Sequence, residues 1–309
     1  MRILFEILGR RARWALPAGV FVGVLLPDLA ALLRPLLTPA VIGTLTAALL
    51  RLDWSHIANA ARRPALPAWL ALWQLVVSPL LVWLGTALLG LPPDLRLVLV
   101  LQAAAPPIGS AAVFALILGL DGVQCVVGTV AATLLLPFTL TPLVGLFLPE
   151  AGLRVDLAAF FVRVSLLVAA PFALAWVLRR VFGTQRLKRN DDLLAGANVV
   201  QLVVFAIGVM DGVTARMLSE PRLIGALVLA ACVATAVLHL AGFALFRRAG
   251  VTAAYGAALL SGNRNMGLML AITAGSAGET FSLYVGIAQI PMYFAPLALT
   301  PFIRRSRRR

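Results

Sequence analysis

Residues 251–278 read VTAAYGAALLSGNRNMGLMLAITAGSAG, an apolar run interrupted near its centre by Gly262, Asn263, Arg264, Asn265 and Gly267. Wound as a helix, a run of this length crosses the roughly 30 Å of hydrocarbon in a bilayer. Each side of the interruption holds about ten residues, or roughly 15 Å of helix, so the polar cluster falls near the membrane midplane. A guanidinium at that depth costs about 3 kcal/mol even on the lenient insertion scale. Unwound backbone survives there only inside protein or along a wet cavity. The segment therefore reads as a broken membrane helix, with Arg264 either serving a site at the break or bracing it through a structural ion pair.

The rest of the chain has the same character. Of its 309 residues 61% are apolar and 12% charged, against roughly 45–50% and about 25% in soluble domains, and the mean hydropathy is +0.99. This composition excludes a soluble domain, and long runs without alternation exclude an outer-membrane barrel. Ten spans are expected, at 15–33, 36–50, 66–90, 95–120, 122–148, 157–178, 193–215, 222–246, 251–275 and 280–303. The 26 basic residues outnumber the 12 acidic ones, yet they sort by side. Nineteen lie at the two termini and in the even-numbered links, while the odd-numbered links hold Arg34, Arg96, Arg154, Arg216 and Arg222. The positive-inside rule then puts both termini in the cytoplasm of a bacterial-type inner membrane. The tail RRSRRR reads as a topology anchor attracted to anionic lipid, so the charge points to membrane lipid and not to nucleic acid. The N-terminal stretch runs into a full span without a small-residue cleavage site, which makes it the first helix rather than a signal peptide. Cys125 and Cys232 sit inside apolar runs and form neither a disulfide framework nor a metal site.

Five spans precede the loop at 150–156 and five follow it. A unit with an odd number of spans enters the membrane upside down on its second appearance, so 1–149 and 150–309 read as two inverted repeats. Matching interruptions support the pairing. The fourth span, LRLVLVLQAAAPPIGSAAVFALILGLDG at 95–122, carries Pro106, Pro107 and Gly109 at its middle. A proline lacks the amide hydrogen and its ring clashes with the preceding turn, so the helix breaks there. The spacing predicts that Pro107 and Asn265 lie close together at one shared site, with Gly109, Ser110, Gly262 and Asn263 around them. A half-helix starting near Ser110 would add its positive end to the same volume.

At these residues the chain resembles the bile acid:sodium symporter family. The resemblance rests on the short second span followed by ALLRLDWSHIANAARRP, QLVVSP at 74–79, the broken span PPIGSAAVFALILGLDG, HLAGF at 239–243 and the GNRNMGL break. It implies an all-α polytopic membrane protein of ten transmembrane helices in two inverted five-helix repeats. Spans 3–5 and 8–10 would form a core, with spans 4 and 9 crossing at their breaks, and spans 1, 2, 6 and 7 a panel. It also implies transport of an amphipathic organic anion together with sodium. Carried over one residue at a time, the sodium ligands are mostly replaced. A Ser-Asn pair after the span-four break corresponds to Ala112 and Val113, and hydroxyls in span five to Val126 and Val130, with Thr129 one residue away. A glutamate before the span-nine break corresponds to Leu260, and a glutamine inside it to Arg264. Gln74 is retained. Aliphatic side chains give sodium no oxygen, and a guanidinium repels it. Sodium remains a possible coupling ion only through Gln74, Thr129 and backbone carbonyls, and no resident cofactor is expected. Arg264 could hydrogen-bond Gln74 and carbonyls freed at the PPIG break, or stay available to an anionic substrate.

Weaker candidates complete the site. His239 reads as a packing residue or a proton relay. Asp211 and Arg163 are expected to pair with each other or to meet substrate, and Asn198 and Gln201 to line the panel side of a cavity. Met266 and Met269 read as lipid-facing or packing residues. The resulting expectation is a secondary transporter moving an organic anion by alternating access. The alternatives are a sodium-independent or proton-coupled carrier, or a sensor or scaffold on the same fold. No HExxH, intramembrane aspartate pair or Ser-His elbow points to an enzyme.

Overall fold

The computed structural model describes residues 12–52, 54, 65–109, 111, 115, 118–147, 156–273 and 276–306. Among them all regular structure is helical apart from one isolated bridge. The helices are α1 (Ala12–Leu25), α2 (Pro27–Leu33), α3 (Leu37–Arg51), α4 (Ala65–Leu72), α5 (Ser78–Leu88), α6 (Pro93–Ala104), α7 (Gly122–Phe147) and α8 (Leu157–Phe182). They continue as α9 (Thr184–Arg189), α10 (Asp191–Gly208), α11 (Val213–Ser219), α12 (Pro221–Phe246), α13 (Val251–Gly262), α14 (Met266–Thr273) and α15 (Gly278–Ser306). Seven helical stretches among the described residues are long and apolar enough to cross a membrane. They match the expected spans two, three, five, six, seven, eight and ten. Their exposed faces carry large apolar side chains such as Phe138, Leu166, Trp176 and Leu240, the surface of a protein solvated by lipid. The chain is an integral membrane protein.

One boundary departs from expectation. The apolar stretch 15–33 is not one span: α1 stops at Leu25, Leu26 leaves helical geometry (φ −123°, ψ 73°), and Pro27 opens α2. Proline disfavours helix at the residue before it and is well tolerated at a first helical position, so the chain restarts there. Residues 27–51 then run as one span through a tight turn at Arg34–Leu36.

Two sets of helix contacts stand out, joined where α8 packs on both α3 and α7. α10 lies against α1, α2 and α3, and α8 against α3. Elsewhere α5 packs on α6, α4 on α7, and α12 on α13 and α15. Close approach of α12 to α13 depends on Gly242, where a Cβ would come within 2.4 Å of the Ser261 hydroxyl. A buried polar network ties three expected spans together. The Gln102 amide donates to the Thr235 hydroxyl at 3.2 Å, and the Tyr284 hydroxyl donates to the Gln102 carbonyl oxygen. Each partner satisfies a group that lipid or core could not.

Candidate functional site

The two helix breaks meet. After α6 the backbone turns extended at Ala105, and after α13 it leaves helix at Asn263. The strands so exposed form an antiparallel bridge between Pro107 and Arg264. Asn265 donates its amide to the Pro106 carbonyl at 2.7 Å, and Ile108 donates to the Asn263 carbonyl at 2.9 Å. The bridge answers the question that two unwound segments in an apolar interior raise, namely where their backbone hydrogen bonds go. Two successive prolines also reduce the number of buried donors needing partners. The side chain of Asn265 accepts from the Leu268 amide at 3.0 Å, the N-cap position for α14, which restarts the helix one residue later.

Arg264 lies at the centre of this crossing and is wholly buried. Its Nε donates to the Ser261 carbonyl at 2.6 Å, one terminal nitrogen to the carbonyls of Gln74 (3.1 Å) and Ala105 (2.8 Å), and the other to the Ser78 hydroxyl at 3.0 Å. Four N–H groups are thus engaged by neutral oxygens from α13, the break after α6, and the segment around Gln74. That segment, Trp73–Val77, is a π-turn joining α4 to α5, an irregularity that realigns backbone carbonyls. Trp73 fastens it to α13 by donating its indole N–H to the Ser261 hydroxyl at 2.9 Å. Of the two roles left open for Arg264 by the sequence, the geometry has the guanidinium bonded to backbone at the breaks, including the carbonyl just before PPIG. It is not open to a ligand. Gln74 takes part through its main chain, and both polar atoms of its buried side chain lack a partner among the described residues.

The surroundings of the break are tightly filled. His239 donates from Nδ1 to the Thr235 carbonyl at 2.7 Å, and its ring lies directly on Gly262, where a Cβ would come within 1.7 Å of it. Only glycine fits at that position. Leu260, one turn before Arg264, is wholly buried, its side chain close to Gly128 of α7. Met266 and Met269 are buried packing residues. Of the positions at which the resemblance leads one to expect sodium ligands, Val126, Val130 and Leu260 carry no side-chain oxygen, while Ala112 and Val113 lie outside the described residues.

Beside the crossing is a cavity of about 170 Å³ between α3, α7, α8 and α10. Gly109, Thr129 and Asn198 line it together with Leu45, Phe172 and Arg51. The hydroxyl of Thr129 donates to the Cys125 carbonyl (2.8 Å) and that of Thr133 to the Thr129 carbonyl (2.8 Å), so both turn lone pairs outward.

Thus Gln74, Pro107, Gly262, Asn263, Arg264 and Asn265 come together at the crossing, with Gly109 between it and the cavity that holds Thr129 and Asn198. Ser110 lies outside the described residues. Two expectations need correction. Asp211 and Arg163 do not pair: Asp211 binds Arg34 at 2.7 Å, and Arg163 donates to the Ala271 carbonyl at 3.3 Å. The long Arg34 side chain, leaving the tight turn after α2, reaches Asp211 at the end of α10 first. Gln201 does not line the cavity but sits against α3, its side-chain oxygen 2.5 Å from where a Cβ of Gly43 would stand. His239 packs behind the break, the first of the two roles read for it. The sequence reading missed Ser78, Thr133 and Arg51. The first two belong to types common in membrane helices, and Arg51 had been counted only as a topology charge.

A family model described as Sodium Bile acid symporter family matches residues 38–220, more than half of the chain. No curated protein matches the chain.

Proposed function

The chain belongs to the sodium bile acid symporter family, and we propose that it is a secondary carrier of an amphipathic organic anion that works without coupling to sodium. The observation that carries this reading is the buried guanidinium of Arg264, tied to Ser261, Gln74, Ala105 and Ser78. It occupies the crossing of the breaks, where the family pattern places neutral and acidic ligands for a cation. A charge held there by the chain itself fills the cation's electrostatic role and repels a second one. The family's ligands at Val126, Val130 and Leu260 are aliphatic, which agrees with the same reading.

On this proposal the ten spans form two inverted repeats, 1–149 and 150–309. Spans 3–5 and 8–10 make a core that carries the crossed breaks, and spans 1, 2, 6 and 7 make a panel. The packing of α10 on α1, α2 and α3 supports the panel, with α8 bridging from α3 to α7, and the charge asymmetry supports cytoplasmic termini in a bacterial inner membrane. The cavity between the two groups takes the anion, and movement of core against panel exposes it to alternate sides. No proton relay is needed, because His239 is packed on Gly262. The test is thermal unfolding of the purified protein against a panel of organic anions, from benzoate to steroid carboxylates, in sodium and in choline salts. At least one anion should stabilise the protein equally in both. Stabilisation that appears only in sodium would refute uncoupled transport.

A further inference from the structure

We propose that Arg51 is the headgroup anchor of the cavity and that Asp191 is a built-in carboxylate that holds it until a substrate carboxylate takes over; this rests on the carrier reading above. Arg51 ends α3 and is the only charged residue among the described residues lining the 170 Å³ cavity. Its Nε and one terminal nitrogen clasp the two carboxylate oxygens of Asp191 at 2.7 and 2.9 Å. Asp191 itself does not line the cavity. It opens α10, where the helix N-terminus stabilises its charge even when Arg51 lets go. The pair is partly exposed, at 29% and 49% for the two side chains, so separating them is not expensive.

The remaining described lining offers an anion no charged partner. Thr129 and Thr133 have given their hydroxyl hydrogens to backbone carbonyls and show only acceptors, and the Asn198 carbonyl oxygen is a buried acceptor without a partner. Arg51 is therefore the one charged donor among the described lining residues, beside the neutral Asn198 amide, and a carboxylate can match its fork as Asp191 does. The body of the ligand is set by the rest: Leu45, Leu49, Val126, Val130 and Phe172 make an apolar chamber. Its volume is close to that of the roughly 150 Å³ apolar cavity known to take up one benzene ring. The substrate class is accordingly a monocarboxylate with a one-ring apolar body.

The experiment is calorimetric binding of phenylacetate, with neutral phenylacetamide as the comparison, to the full-length protein and to Asp191→Asn, Arg51→Gln and Arg51→Lys variants that remain monodisperse. Removing the internal competitor in Asp191→Asn should tighten phenylacetate about two- to fivefold, the range of an exposed ion pair. Arg51→Gln should weaken it at least tenfold and abolish the preference over phenylacetamide, and Arg51→Lys should keep the preference with reduced affinity. Unchanged or weaker binding in Asp191→Asn, or a preference retained in Arg51→Gln, overturns the anchor. If the wild type binds phenylacetate no better than phenylacetamide yet is stabilised by larger organic anions, the one-ring anchor is overturned and the carrier reading stands. If no organic anion of any size binds, the carrier reading itself has failed.

Discussion

Replacing Arg264 by Gln and Leu260 by Glu together should convert a sodium-indifferent protein into one that needs sodium for stability. Leu260 is wholly out of solvent, so a glutamate there is a buried carboxylate, and the glutamine substitution removes the positive charge one turn away. An uncompensated buried ion costs several kcal/mol. A monovalent cation that binds beside it recovers part of that cost. At one hundred times its dissociation constant the gain is about 2.7 kcal/mol, which corresponds to roughly 5–10 °C in Tm. The single variants separate the contributions. Leu260→Glu keeps the guanidinium as counter-charge and should stay indifferent to sodium. Arg264→Gln removes the donor that serves the Ser261 and Ala105 carbonyls; an unmet buried acceptor costs about 1–3 kcal/mol, so stability should fall in every salt. The assay is thermal unfolding of all four proteins in sodium and in choline chloride at equal ionic strength. A wild type that gains as many degrees from sodium as the double variant would refute the idea that Arg264 stands in for the cation.

Further expectations follow from the packing and the proposed charge balance. Gly262→Ala should destabilise the protein by about 2–4 kcal/mol, because its methyl overlaps the His239 ring and costs the bond to Thr235; adding His239→Ala should recover part of the loss, read by a double-mutant cycle in thermal unfolding. Asn265→Ala should cost about 1 kcal/mol through loss of the α14 cap, measured the same way. Transport of a monoanion without a coupled cation moves one negative charge per cycle. An inside-negative potential of 100 mV, worth about 2.3 kcal/mol per charge, should therefore drive the anion out of proteoliposomes, as read with a potassium diffusion potential. Reporter fusions at the C-terminus should report a cytoplasmic location.

The long spans were legible because runs of about twenty apolar residues have few alternatives, and the breaks because Pro106, Pro107 and GNRN are costly inside such runs. Their meeting was legible too, since two unsatisfied backbone segments in lipid must serve each other. The division of 15–33 at Pro27 was missed because the apolar character continues across the proline, so hydropathy alone did not register the restart. Partner choice among long side chains was also beyond the sequence. Arg34, Arg163 and Asp211 were all expected toward the same side of the membrane, and only the fold decides that Arg34 reaches the carboxylate. Arg51 shows the same limit. As a charge at a helix end it satisfied the topology rule completely, and nothing in the chain order indicates that α7, α8 and α10 close a cavity against it.

Uncoupled transport is tested most directly by uptake of a labelled anion by proteoliposomes, using the anion that stabilises the purified protein most, at zero membrane potential. An inward sodium gradient is compared with equimolar choline. Equal initial rates and no accumulation above the external concentration are expected in either salt. Sodium-driven accumulation by the unmodified protein would contradict uncoupled transport, and would mean that backbone carbonyls, Gln74 and Thr129 hold a cation despite the guanidinium at the crossing.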